Sequence, residues 1–370
     1  MILGNPENRR VIGFCEALHN AGERFGVYSW QAFLEWPRRL LDAALSDDVY
    51  LRIDTLGENI PVQQRLLEHG RWAGPPGRWK VASASDIATL PERFGILLCP
   101  HQQHRGFLAA LRNVDELAPG HWRMLNPTAT IRLCFDKRES AKTIATLGLP
   151  IPEVYPVDVV EDLPEIPGGV VIKLSSGSSA SGLGIWRRGR MGMELFTTME
   201  YLGRGRIYNS LRPRAYRGKI ARELVALILN EGVHVERFVP KAEMDGQNFD
   251  LRVLLVAGEP AFTVIRQSRH PITNLHLGGT RGDLARLAEV IPEGRITAMY
   301  EAMRVLGRAI PGLHLGVDVM FDRDPEPGTP GFRILEINAF GDLLPGLTRT
   351  FGGREWGVYD WEIRAAMGGG

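Results

Sequence analysis

The chain has 370 residues, 44% hydrophobic and 24% charged, with a net charge of +1. That length fits two or three domains better than one core, and the near-neutral charge gives no global sign of nucleic acid. No stretch approaches the roughly 18 apolar residues of a membrane span, and "MILGNPENRR" lacks the basic-then-apolar order of a signal peptide. Cys15, Cys99 and Cys134 are widely spaced and set among apolar residues. They read as reduced thiols of a cytoplasmic protein, with no spacing that suits metal ligation.

Over residues 1–125, short apolar strands alternate with helices. "MILG", "RFGVYSW" and "VYLRIDT" read as strands; "RRVIGFCEALHNAG" is an amphipathic helix stopped by Gly22, and "VQQRLLEHG" a helix stopped by Gly70. This alternation predicts an open α/β sheet. "RWAGPPGRW" (71–79) reads as a loop. "GNPENRR" has too few glycines for a dinucleotide fingerprint. Arg52, ending a strand, is a candidate anion clamp or an ordinary surface arginine.

A second region begins near residue 126. A helix from about Lys137 to Leu147 ends at Gly148, and "GVVIKLSSGSSASGLGIWRR" (169–188) reads as strand, Ser/Gly loop and returning strand. Lys173 closes the first of these strands among residues that want burial, so its ammonium needs an anion. The loop offers backbone N–H groups and hydroxyls, and its glycines permit close approach of a phosphate. The order is not that of a Walker loop; the alternative is a flexible surface turn. From Arg187 to Arg222 ten Arg or Lys stand against two Glu. This stretch is either a solvated strand face or a basic rim for an acidic or phosphorylated partner.

Further on, "IARELVALILNEG" is a helix leading to "VHVERFVP", and "NFDLRVLLVAGEPAFTVIRQS" is a hairpin turning at Gly258. "NLHLGGTRGD" reads as a loop and "ITAMYEAMRVLGRAI" as a helix. Two short strands then carry acids where a core prefers Val or Leu: Asp318 in "HLGVDVMFD" and Glu336 in "ILEINAFGD". If these strands pair, the carboxylates face one another and repel unless a divalent cation lies between them. Asn338 shares the face of Glu336 and adds a neutral oxygen. The acids are explained if they hold Mg2+ against a nucleotide; the alternative is a pair of solvent-facing edge acids.

Strand lysine, Gly/Ser loop, "VERFVP", "DLRVLLVAG", "NLHLGG", "GVDVMF" and "EIN" follow in this order over about residues 130–345. The series resembles the ATP-grasp superfamily of carboxylate–amine ligases, and within it RimK-type glutamate ligases and glutathione-synthetase-like enzymes. The resemblance implies an α/β (α+β) ATP-grasp fold. An N-terminal open α/β domain (1–125) would precede a subdomain with the lysines, loop and hinge (126–240) and a C-terminal subdomain with the metal site (241–370). It implies ATP and Mg2+ as cofactors, with two ions and Mn2+ as an alternative. Lys137 and Lys173 match the nucleotide lysines, and Ser175, Ser176, Gly177, Ser178, Ser179 and Gly182 the covering loop. Glu236 with Phe238 and Val239 matches the adenine hinge, Asp250 an acid near the ribose, and Asn274 an amide near the nucleotide. Arg252 and Arg266 match arginines of the phosphate and acyl region; Asp318, Glu336 and Asn338 match the metal ligands. The alternatives, which the motif order disfavours, are a helix-start lysine for Lys137 and a strand-surface arginine for Arg252. His276 is either a loop residue bonded to backbone or part of the site.

The chain departs from the RimK pattern in three places. "INAFGDLLPGL" replaces a short "SPG" after the metal strand and brings Phe340 and Asp342 beside the site; the stretch 184–236 is long and basic; and Ile272 stands where an arginine is expected. These departures detach the chain from glutamate specificity. "NAFGDLLPG" is similar to a less characterised ATP-grasp branch. The implied activity joins a carboxylate to an amine of an amino acid, peptide or protein through an acyl phosphate, releasing ADP and phosphate. The alternatives are an ATP-grasp kinase acting on a small molecule and a non-catalytic nucleotide-binding partner protein. Oligomeric state is not readable, although relatives in that family commonly form dimers or tetramers.

Overall fold

The computed structural model describes residues 1–72, 80–90, 95–177, 181–190, 192–203, 205–341 and 345–368, without the side chain of residue 211. Four short parallel strands open the chain: β1 (Ile2–Leu3), β2 (Val27–Tyr28), β3 (Tyr50–Ile53) and β4 (Arg123–Met124), in the order β2-β1-β3-β4. Helices α1 (Arg9–Asn20), α2 (Trp30–Glu35), α3 (Ile60–Gly70), α4 (Ala84–Ala88) and α5 (Pro100–Leu117) connect them. Each of α1 to α4 starts on an Asn or Ser whose side chain accepts a backbone N–H of the first turn. The expected open α/β sheet is therefore present. Helix α5, with Phe107, Ala110, Leu111 and Val114 buried on one face, was not among the expected elements, although its spacing is helical.

Helices α6 (Thr128–Phe135) and α7 (Lys137–Thr146) lead into a six-stranded sheet in the order β5-β10-β6-β7-β8-β9. Its strands are β5 (Val154–Tyr155), β6 (Val170–Leu174), β7 (Gly184–Gly189), β8 (Gly192–Tyr201), β9 (Ile207–Arg217) and β10 (Val233–Arg237), with α8 (Gly218–Leu229) packed on it. All pairings are antiparallel. The third sheet joins β11 (Glu243–Met244), β12 (Gln247–Val256), β13 (Glu259–Ser268), β14 (Thr280–Gly282), β15 (His314–Phe321) and β16 (Phe332–Asn338). Its main order is β14-β13-β12-β15-β16. The β12–β13 hairpin turns on Ala257 and Gly258, both at positive φ, as a two-residue hairpin turn requires. "TRG", expected inside a loop, instead extends the sheet as β14, because its backbone finds partners along β13. Helices α9 (Leu287–Val290) and α10 (Glu293–Ala309) precede β15, and a hairpin of β17 (Thr348–Phe351) and β18 (Arg354–Gly357) with α11 (Val358–Ala366) ends the described chain.

One continuous core runs from the first sheet to the third: Trp30, Phe107 and Ile131 share it with Phe249, Val317 and Ile337. The second sheet has its own core. Cys15 is half-buried and Cys99 and Cys134 are buried, all three free. Among the described residues no helix is long and apolar enough to cross a membrane.

Gly70 does not stop its helix by a left-handed turn, as its position suggested. It is the last helical residue, and α3 and α5 cross there so closely that a β-carbon on Gly70 would stand 1.9 Å from the Gln102 carbonyl oxygen. One on Gly106 would stand 2.0 Å from the Leu66 carbonyl oxygen. Gly106→Ala is expected to cost at least about 1–3 kcal/mol, as overpacking does. Gly120→Ala, which meets nothing within 4 Å, should stay within about 0.5 kcal/mol of wild type. Urea midpoints of the two variants decide it; equal midpoints would contradict the crossing.

Candidate active site

The third sheet carries a row of charges on one face. Asp250 and Arg252 lie two apart on β12, hence on one side of the pleat. Asp250 is the cross-strand partner of Arg266, Arg252 of Asp318, and Asp318 of Glu336. Arg266 Nε donates to Asp250 at 2.7 Å and its Nη2 stands 3.1 Å from Asp318. Arg252 Nε stands 2.5 Å from the same Asp318 oxygen. Burial alone would raise the Asp250 carboxyl, but Arg266 and Lys241 outweigh it and hold it below the usual range. Burial likewise works against the Arg266 charge, which Asp250 and Asp318 restore and exceed.

Asp250 is buried and bonded to protein partners. Besides Arg266 it accepts from Lys241 Nζ at 2.7 Å and from the Thr273 hydroxyl. Lys241 and Thr273 were missed: Lys241 directly follows "VERFVP", and Thr273 directly precedes "NLH". A lysine directly after "VERFVP" and nine residues before the strand-borne Asp250 was the available signal. Burial lowers the Lys241 pKa despite Asp250.

The second sheet answers the question of the Lys173 anion. Lys173 Nζ stands 2.5 Å from Glu236 Oε1, while His234 Nε2 meets Glu236 Oε2 at 3.0 Å. Burial would raise Glu236; Lys173 and His234 hold it low. The Glu236 carboxylate thus pairs with the lysine, and Glu236, Phe238 and Val239 all border the cleft. Lys137 opens α7, where Asp136 caps, and bridges to the Gly177 carbonyl and, at 3.3 Å, to Glu336. Ser175 bonds the Gly232 carbonyl through its N–H and its hydroxyl, Ser176 continues the turn, and Gly182 packs on Leu174 at φ 63°. Ser178 and Ser179 lie outside the described residues, as does Asp342.

One cleft of about 340 Å3 lies between the second and third sheets; Lys137, Ser175, Ser176 and Gly182 are not in its lining. Lys173, Gly177, Glu236, Phe238, Val239, Asp250, Arg252, Arg266, Asn274, Asp318, Glu336 and Asn338 all line it. The Asn274 side chain caps the next turn by accepting the His276 N–H, and His276 also borders the cleft. Val171 and Ile185 of the second sheet, Leu183 just before β7, and Met320 and Leu335 of the third sheet supply apolar lining. Arg10, Thr55, Phe135 and Phe340 form the end nearest the N-terminal sheet.

Arg52 is not a cleft residue. It is buried, bonded to Asp54 at 3.0 Å and Glu362 at 2.6 Å, and lies over the Phe14 ring. Half of the basic stretch is ion-paired: Arg187 and Arg217 with Glu194, Arg214 with Glu200, Arg188 with Glu165 and Arg222 with Glu161.

No cluster of three or more His, Cys, Asp or Glu suited to a metal occurs among the described residues. Asp318, Glu336 and Asn338 nonetheless fit a hard cation that keeps most of its ligands from phosphate and water. Asn338 Nδ2 is buried without a partner, and a half-turn of the amide would aim its oxygen there instead.

No family model and no curated protein matches the chain. Solved structures do. The ATP-grasp ligase PsnB complexed with a phosphomimetic variant of its minimal precursor, Mg and ADP is 13% identical over 99% of this chain and 97% of that one, with a TM-score of 0.47. The macrocyclase MdnC from Microcystis aeruginosa MRC, bound with precursor peptide MdnA, is 12% identical over 92% and 91%, with a TM-score of 0.49. A RimK domain ATP-grasp protein from Sphaerobacter thermophilus DSM 20745 is 16% identical over 92% and 91%, with a TM-score of 0.45. The functional reading rests on this chain's own residues.

Asp250→Asn strips the shared anion from two buried cations and should cost about 3–5 kcal/mol at neutral pH. The folded-state pKa of Asp250 lies below its ordinary 3.8. Its stabilisation is therefore complete above that value and is lost as pH falls through the folded one. Urea midpoints should show the wild-type–variant gap narrowing below about pH 4; a gap that stays constant on acidification would contradict the pairing.

Proposed function

We propose that the chain is an ATP-dependent carboxylate–amine ligase of the ATP-grasp type, forming an amide with release of ADP and phosphate. One observation carries the reading: a facing pair of carboxylates, Asp318 and Glu336, shares a 340 Å3 cleft with Lys173, Arg252 and Arg266, and Lys137 touches its edge at Glu336. The cleft is of ligand size. Such a set binds and neutralises a polyphosphate, and the apolar lining suits the flat faces of a purine.

In this reading Glu236 holds Lys173 in place at the cleft, and Lys137 holds the Gly177 turn over the phosphates. Asp318, Glu336 and Asn338 would hold Mg2+, which when bound neutralises phosphate charge and polarises the γ-phosphorus. Asp250 fixes Arg266 and Lys241 in place before substrate arrives, which is electrostatic preorganisation. Arg252 and Arg266 hold the substrate carboxylate. Its oxygen attacks the γ-phosphorus and ADP leaves, giving a mixed anhydride. An amine nitrogen then attacks the acyl carbon, phosphate departs, and the nitrogen loses a proton. The apolar walls and the turn at Gly177 exclude water, which would otherwise take the place of the amine.

The test is ADP release followed together with hydroxamate formation, using Mg-ATP, hydroxylamine and a pool of amino acids and small carboxylates. Both signals are expected, with Glu336→Ala reducing each by at least about 100-fold. ADP without hydroxamate would replace the ligase reading by phosphorylation or idle turnover; near-wild-type ATP consumption in Glu336→Ala would overturn the carboxylate assignment.

A further inference from the structure

The three residues after Asn338 turn their carbonyls to donors far away in sequence. Ala339 accepts from Asn126 Nδ2, while Phe340 and Gly341 accept from the single Nη1 of Arg10, at 2.9 and 3.1 Å. A strand would alternate its carbonyls to two sides, so the chain here leaves the sheet in a conformation that the N-terminal region dictates. Arg10 sits in the first turn of α1, and the Asn8 side chain that caps this helix accepts the Arg10 backbone N–H.

The same segment is supported from beneath. Gly341 has φ 62°, and a β-carbon there would stand 3.2 Å from the His314 ring and 3.3 Å from Glu362 Oε1. Glu362 is in turn held by Arg52 of β3. Phe340 stacks edge-on against Phe135, with ring centroids 5.4 Å apart, and both rings border the cleft. Arg10 from the N-terminal region, with Asn126 and Phe135, thus holds the wall that continues directly from a candidate metal ligand.

We infer that Arg10 is a positioning residue that couples phosphoryl transfer to amine capture, by fixing the Ala339–Gly341 wall against Asn338 so that the anhydride meets the amine rather than water. This rests on the ligase reading. Loss of the wall leaves the first step, attack of the carboxylate oxygen on the γ-phosphorus with departure of ADP. It diverts the second: water oxygen attacks the acyl carbon, phosphate leaves, and the carboxylate is regenerated without an amide. A planar guanidinium that serves two carbonyls at once is poorly replaced by the point charge of lysine.

The experiment measures ADP released per hydroxamate formed in wild type, Arg10→Ala and Arg10→Lys, with Mg-ATP, hydroxylamine and whichever carboxylate of the pool the wild type uses. The ratio is expected to rise about fivefold or more in Arg10→Ala and less in Arg10→Lys, with KM for ATP within about twofold of wild type. A merely structural loss would lower both products together and leave the ratio alone. An unchanged ratio overturns the inference; Arg10→Lys decides it if the alanine variant does not fold. Absence of hydroxamate from the wild type itself would instead remove the ligase reading on which the inference stands.

Discussion

Everything in the cleft depends on how the third sheet tolerates so much charge on one face. An ionised group withdrawn from water costs several kcal/mol unless a partner is in place, and Asp250, Arg252, Arg266, Asp318 and Glu336 lie side by side. The strand register solves this by setting opposite signs across neighbouring strands: Arg266 by Asp250, and Arg252 by Asp318. Where two acids fall opposite each other, Asp318 and Glu336, cations reach in from β12, β13 and α7. The register shifts at a bulge directly after Asp318, the kind of irregularity that re-aims a side chain near a site.

The second sheet is tied to this row by few but strategic bonds. Lys137 touches Glu336 on one side and the Gly177 carbonyl on the other, so one ammonium spans both walls. Lys173 and Glu236 pair across adjacent antiparallel strands, each the other's counter-charge in a buried setting. The N-terminal region reaches the cleft through Arg10, in the first turn of α1, and Thr55, just past the carboxyl end of β3, the end at which open α/β sheets bind ligands.

Some of this was legible beforehand because it is local. Acids inside apolar strands, at Asp318 and Glu336, have no structural reason in a core, and alternation alone puts Asn338 beside Glu336. Lys173 declared its need for an anion, and Glu236 proved to be that anion. What was not legible is long-range. Arg52 finds Glu362 310 residues away, so a strand-end arginine cannot be told from a substrate clamp by its neighbours. Two arginines of 187–222, Arg188 and Arg222, looked unpaired because their partners, Glu165 and Glu161, lie outside the stretch. Gly70 looked like a helix stop, but its reason is the backbone of another helix. Lys241 escaped notice since its partner, Asp250, had already been given a different role.

The central claim is that the cleft transfers the γ-phosphoryl group to a carboxylate, and isotope transfer tests it most directly. Mg-ATP is incubated with an 18O-labelled pool of amino acids and small carboxylates in the presence of hydroxylamine, and the released phosphate is examined by mass spectrometry. Acyl-phosphate chemistry predicts that one carboxylate 18O appears in each phosphate, because the oxygen that attacked phosphorus stays with it when the amine displaces it. Phosphate released without label would contradict the account, since the phosphoryl group would then have gone to water or to another acceptor.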